Sequence, residues 1–214
     1  MSSTSVSLCA PLRLPERGGS SRLQFGSNDL VLEQVRGGFT LLWSDGREAR
    51  RYAFGFGEDG ELTLELRAPE LPLWVTPREL LAIVPGARWS GYVQVPLVPT
   101  LTWRRDGGLP QTVVVVHARD LATEWDEAQG YRCLAPSALY VRFPMRSGEP
   151  RAVVPLRITN RSQEVLSPAA IPLRLADADL HELREAIVCS PRRLSWNGSN
   201  FVVMEAPTLA TSRT

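Results

Sequence analysis

The chain has 214 residues, 43% hydrophobic and 22% charged, with a formal net charge of +1. That is enough chain to bury a core without disulfide or metal staples, and too apolar a composition for a disordered segment. So small a net charge gives no bulk electrostatic case for nucleic acid or a membrane surface, and no run of 18 apolar residues could span a bilayer.

All 24 basic residues are arginine. With abundant Ala, Gly and Pro, this reads as the mark of a GC-rich genome rather than of phosphate binding. Cys9, Cys133 and Cys189 are widely spaced and form no CxxC pair, so zinc has no ligand set. Cys133 and Cys189 could pair in an oxidising compartment, but free thiols in a reducing cytosol are the expectation. The N-terminus carries no basic start and no apolar stretch of signal-peptide length. The expected location is therefore cytoplasmic.

In chain order, residues 1–21 are rich in Ser, Pro and Gly and read as a flexible leader. Strands are predicted at 22–26, 30–35, 39–43 and 50–56, with Asp45-Gly46 as a hairpin turn. Leu62, Leu64 and Leu66 alternate with Thr63 and Glu65, the pattern of a strand with one wet face. Residues 68–99 are punctuated by six prolines and predict short strands at 73–75, 80–84 and 89–95, crossing between sheets. Thr112 to His117 contains four consecutive valines, which suggests burial on both faces. Residues 118–130 are acidic and polar and predict a loop or a short surface helix. Residues 138–143 predict another strand.

Residues 153–175, VVPLRITNRSQEVLSPAAIPLRL, carry the strongest architectural signal. Val154, Leu156 and Ile158 share one face at a period of two, and Asn160-Arg161-Ser162-Gln163 supplies a polar turn before a second apolar run. Residues 177–187 predict a short C-terminal helix through Leu180, Leu183 and Ile187, with Asp177 as its cap. A hairpin with strands on either side of Arg184-Glu185 competes with it. Asn197-Gly198 predicts a final hairpin, and a polar tail follows Pro207.

The expected fold class is therefore all-β, mainly an antiparallel β-sandwich with one short C-terminal helix. It divides into a leader (1–21), a β-rich half (22–130), a second β-rich half (131–206) and a tail (207–214), with a single continuous β domain as the alternative.

Chemistry is sparse. No GxSxG, P-loop or GxGxxG motif occurs. There are two histidines. His117, with Asp120 and Glu124 nearby in sequence and Cys133 as a thiol, is the one candidate constellation for acid–base or nucleophilic work. His181 lacks the HExxH spacing of a metal site. Residues 124–127 lack the pattern of a calcium loop. No metal and no cofactor is expected. Of the six tryptophans, Trp125 stands in a polar segment and is the candidate ligand contact, with Arg104 and Arg105 as candidate partners.

Two groups of segments carry a family resemblance. Residues 69–77, PELPLWVTP, precede the strand at 89–96, which ends in proline. Ala138-Leu139-Tyr140 then precedes 155–162, with its Asn-Arg-Ser turn. This order resembles an uncharacterised prokaryotic family, domain of unknown function four-three-two. The family pattern has a glycine soon after Ala-Leu-Tyr, where this chain has Val141-Arg142-Phe143-Pro144. The resemblance implies a prokaryotic, mostly β protein and transfers no activity.

The functional expectation is a non-catalytic protein–protein interaction module or accessory subunit, partnered by another protein or by its own copies. The alternatives are an enzyme built on His117, Asp120, Glu124 and Cys133, and a carbohydrate- or nucleic-acid-binding protein using exposed Trp and Arg.

Overall fold

The structure is a computed structural model that describes residues 7–16, 18–25, 27–44, 46–55, 60–105, 107–116, 118, 120–127, 130–144, 149–183 and 186–204. The chain opens with β1 (Cys9–Leu12), then an antiparallel meander of β2 (Ser20–Phe25), β3 (Asn28–Val35), β4 (Gly38–Ser44) and β5 (Ala49–Phe54). A second sheet, ordered β1-β6-β9-β10, takes β6 (Glu61–Arg67), β9 (Val98–Arg104) and β10 (Gln111–Val115).

Between β6 and β9 the chain visits two further sheets through β7 (Leu73–Pro77) and β8 (Arg88–Pro96). It returns to them with β11 (Ala122–Asp126), β12 (Gly130–Ser137), β13 (Arg151–Asn160), β14 (Ile171–Leu173), β15 (Leu180–Leu183), β16 (Ala186–Cys189), β17 (Arg192–Trp196) and β18 (Phe201–Met204). The third sheet runs β11-β12-β7-β14. The fourth, six-stranded sheet runs β15-β16-β13-β17-β18, with β8 also on β13.

Period-two burial makes each pair of sheets a sandwich. Leu30, Leu32, Phe39, Leu41 and Trp43 of the meander pack against Leu62, Leu64, Leu101, Val114 and Val116. The larger core joins Leu73, Val75, Cys133, Ala135, Ile171 and Leu173 of the third sheet to Val93, Val95, Val154, Leu156, Ile158, Ile187 and Leu194 of the fourth. Val154, Leu156 and Ile158 are 0%, 3% and 0% exposed, so the predicted alternation of this stretch holds.

The two cores do not divide the chain near residue 130. Leu62 and Leu64 face the first core while Leu66, on the same strand, joins the second. The second core also draws on residues from both sides of 130. Carboxylates hold further crossings: Asp177 Oδ1 accepts from the Ala68 amide at 2.7 Å, and Glu149 Oε1 from the Ser27 amide at 2.9 Å.

β13 is the axis of the larger sandwich. It pairs antiparallel with β8 along its length, and on its other side parallel with β16 at Ala152 and Val153, then with β17 from Leu156 to Asn160. Pro155 falls in the gap between those two partners, where no strand needs its missing amide hydrogen. Parallel pairing also joins β12 to β7, so the sheets are not purely antiparallel.

Several expectations need correcting. The predicted C-terminal helix is absent. Asp177–Asp179 forms one 3-10 turn, and β15 pairs antiparallel with β16, from Leu180↔Cys189 to Leu183↔Ala186. Burial of Leu180, Ile187 and Cys189 in the core, with pairing of β16 to β13, outweighs the helix preference of the intervening residues. The expected leader contains β1, which pairs with β6 from Cys9↔Glu65 to Leu12↔Leu62. The acidic segment contains strand β11. The valine run is an edge strand: Val114 and Val116 are buried but Val115 is 44% exposed. Residues 80–84 and 138–143 contribute only the isolated bridges Ile83↔Leu166 and Tyr92↔Tyr140.

No helix among the described residues is long and apolar enough to cross a membrane.

Candidate functional site

The described candidate catalytic residues, Asp120, Glu124 and Cys133, occupy separate surroundings. His117 lies outside the described residues. Asp120 pairs with Arg151, a mostly buried guanidinium. Glu124 faces Arg132 directly across β11 and β12 and pairs with it at 3.0 Å. Cys133 is the next residue along β12, so the pleat turns its thiol to the opposite face, into the larger core. Burial there raises its pKa, partly offset by a hydrogen bond to Thr123. Glu124 and Cys133 therefore share no face, and both carboxylates are already held by arginines.

One nucleophile–base contact does occur, which the sequence reading missed: His181 Nε2 lies 3.2 Å from Ser190 Oγ. No carboxylate among the described residues holds the other ring nitrogen. Asp179 instead pairs with Arg192 and accepts from the Ala176 amide at 3.1 Å. The contact joins β15 to the residue that follows β16. Among the described residues no three His, Cys, Asp or Glu side chains gather as a metal site. All three cysteines are free; Cys133 and Cys189 are both buried, and burial pushes the Cys189 thiol up to about 11.

Trp125 is exposed at 60%, edge-on to Tyr131 at 4.8 Å and directly opposite it across β11 and β12. Its proposed partners are elsewhere: Arg104 ends β9 in the second sheet, paired with Glu61 at 3.1 Å, and Arg105 follows it.

A broad concavity lies elsewhere again. A groove of about 1290 Å³ runs between the outer side of β7 and β14, the 161–170 loop and the β17–β18 turn. Trp74, Trp196 and Phe201 supply its aromatic surface, with Trp196 and Phe201 5.0 Å apart. Its cations are Arg132, Arg161 and Arg174, against one carboxylate, Glu164. Arg132 is already neutralised by Glu124 and Asp126 and lies 5.0 Å over the Trp74 ring. Arg161 and Arg174 pair with no carboxylate among the described residues.

Local chemistry shapes both walls. Asn197 Oδ1 accepts from the Ser199 and Asn200 amides at 3.0 and 2.8 Å, and Gly198 takes φ +107°, closing the β17–β18 turn. The 161–170 loop is anchored by Asn160, whose fully buried side chain makes four hydrogen bonds.

One rim of the groove is β18, the last strand of its sheet. No strand among the described residues pairs with its outer side, and Val202, Val203 and Met204 are 50%, 45% and 42% exposed. In the sequence, Trp74 and Trp196 are two of six tryptophans. Nothing local marks them as neighbours across a groove. No family model, no curated protein and no solved structure matches this chain.

Proposed function

We propose that this protein is a non-catalytic interaction module that takes an extended segment of a partner protein along β18 and into the adjoining groove. The observation that carries this reading is the β18 edge, unpaired among the described residues, with three half-exposed apolar side chains. An unpaired edge offers backbone donors and acceptors to an added strand, and proteins ordinarily protect such edges with charge, proline or a covering loop. The groove gives side-chain pockets beside it. Arg161 and Arg174 favour a segment carrying acidic residues among apolar ones. Three free thiols fit a reducing, cytoplasmic location.

The test is selection of binding peptides from a displayed random library, followed by affinity measurement on variants. Val203→Asp and Arg174→Glu are expected to weaken the selected peptides about tenfold or more, while Leu42→Asp on the far sandwich leaves them unchanged. Equal binding by all three variants would remove this reading. A photo-crosslinker at position 203 then identifies the partner in host extract.

A further inference from the structure

The outer face of the six-stranded sheet carries a second, unrelated feature. Arg157 and Arg193 are register partners in the parallel pair β13–β17, so both side chains leave the same face on strands about 4.8 Å apart. Both are exposed. Neither pairs with a carboxylate among the described residues. Like charges directly opposite each other oppose sheet pairing. Arg88, opposite Thr159 and one step diagonal from Arg157, adds a third positive charge to the face.

The same two arginines line a depression of about 400 Å³. Ser90, opposite Arg157 on β8, contributes a hydroxyl to it. The opposite wall is apolar. It is formed by Tyr92, which meets the Phe143 ring edge-on at 5.6 Å, and by Val141, which is 77% exposed. Pro191 closes the other side. The site therefore has a cationic end with a hydroxyl beside it and an apolar end, in a volume suited to a small molecule rather than a polymer.

We propose that this depression binds an organic phosphate, its phosphate oxygens held by Arg157 and Arg193 and its non-phosphate part laid against Val141 and Tyr92. Guanidinium groups match phosphate oxygens in charge and in fork geometry, which turns their mutual repulsion into a shared attraction once the anion is bound.

Isothermal titration with ADP, ribose 5-phosphate, pyrophosphate and adenosine tests this on the full chain. ADP or ribose 5-phosphate should bind saturably at submillimolar concentration and weaken as salt rises, with adenosine silent. Arg157→Ala and Arg193→Ala should each weaken binding about tenfold or more. Arg104→Ala, in another sheet, should leave it unchanged. Val141→Asp, at a position that is 77% exposed, should weaken the organic phosphates more than pyrophosphate. No saturable binding of ADP or ribose 5-phosphate below about 2 mM, an affinity too weak to reflect a built site, overturns the proposal. So does binding that Arg157→Ala and Arg193→Ala leave intact.

Discussion

Asn160 Nδ2 donates to the Ile83 carbonyl at 2.8 Å, tying the loop before β8 to the end of β13. The same nitrogen donates to the Glu164 carbonyl at 2.7 Å, and Oδ1 accepts from the Ser162 amide at 3.0 Å and hydroxyl at 2.7 Å. Asn160→Asp keeps the shape but sets an oxygen against two carbonyl oxygens. It is expected to cost about 3 kcal/mol or more, read from urea unfolding, because buried acceptors are left facing one another. A cost under about 1 kcal/mol would show that the loop relaxes and that Asn160 does not organise the groove wall.

The β15–β16 hairpin separates positions that a helix would equate. Leu183 is 56% exposed and Ile187 is 2% exposed. Leu183→Ala should change stability by no more than about 0.5 kcal/mol, whereas Ile187→Ala should cost about 2–5 kcal/mol. Comparable losses at the two sites would restore the helix.

Thiol counting reports the placement of the cysteines. Cys9 is exposed, while Cys133 and Cys189 are buried and their thiols are held protonated by that burial. A disulfide reagent at pH 8 should label one thiol per native chain and three in denaturant. Rapid labelling of Cys133 in the native protein would contradict its position in the core and revive it as a nucleophile.

β1 should respond to acid. Glu182 accepts from the Leu8 amide at 2.5 Å and from the Ser7 hydroxyl at 2.7 Å, and these bonds lower its pKa. A carboxylate lowered in the folded state contributes stability above its unfolded pKa, near 4.3, and loses it as pH falls through the lower folded value. The Leu8 amide resonance should therefore titrate with a midpoint below about 4.3, and Glu182→Gln should abolish that titration. A midpoint above that value would mean that the contact does not form in solution.

Much of the fold class was legible because strands with one wet face write their burial directly as alternation. Leu62, Leu64 and Leu66, and Val154, Leu156 and Ile158, are both read correctly for this reason, as is the Asn197-Gly198 turn. Strand β12 was not legible. Gly130 and Pro136 argue against a strand there, but Pro136 lies beyond the reach of β11, which ends its pairing at Leu134, so its missing donor costs nothing on that side. The candidate site was less legible still. Glu124 and Cys133 are near in sequence, yet the pleat sends them to opposite faces, while Trp74 and Trp196, 122 residues apart, both line the groove.

By itself, the amino-acid sequence determined that this chain would be built from half-buried strands around an apolar core, because side-chain period and turn chemistry act over a few residues. Tertiary structure alone decided which sheet each strand entered and where β1 docked. It also paired residues 180–183 antiparallel with 186–189, since partner strands supplied burial and backbone hydrogen bonds that outweighed local preference. The β18 edge left unpaired among the described residues, the groove beside it and the adjacent arginines 157 and 193 have the same origin. Each exists only through the register between strands distant in the chain.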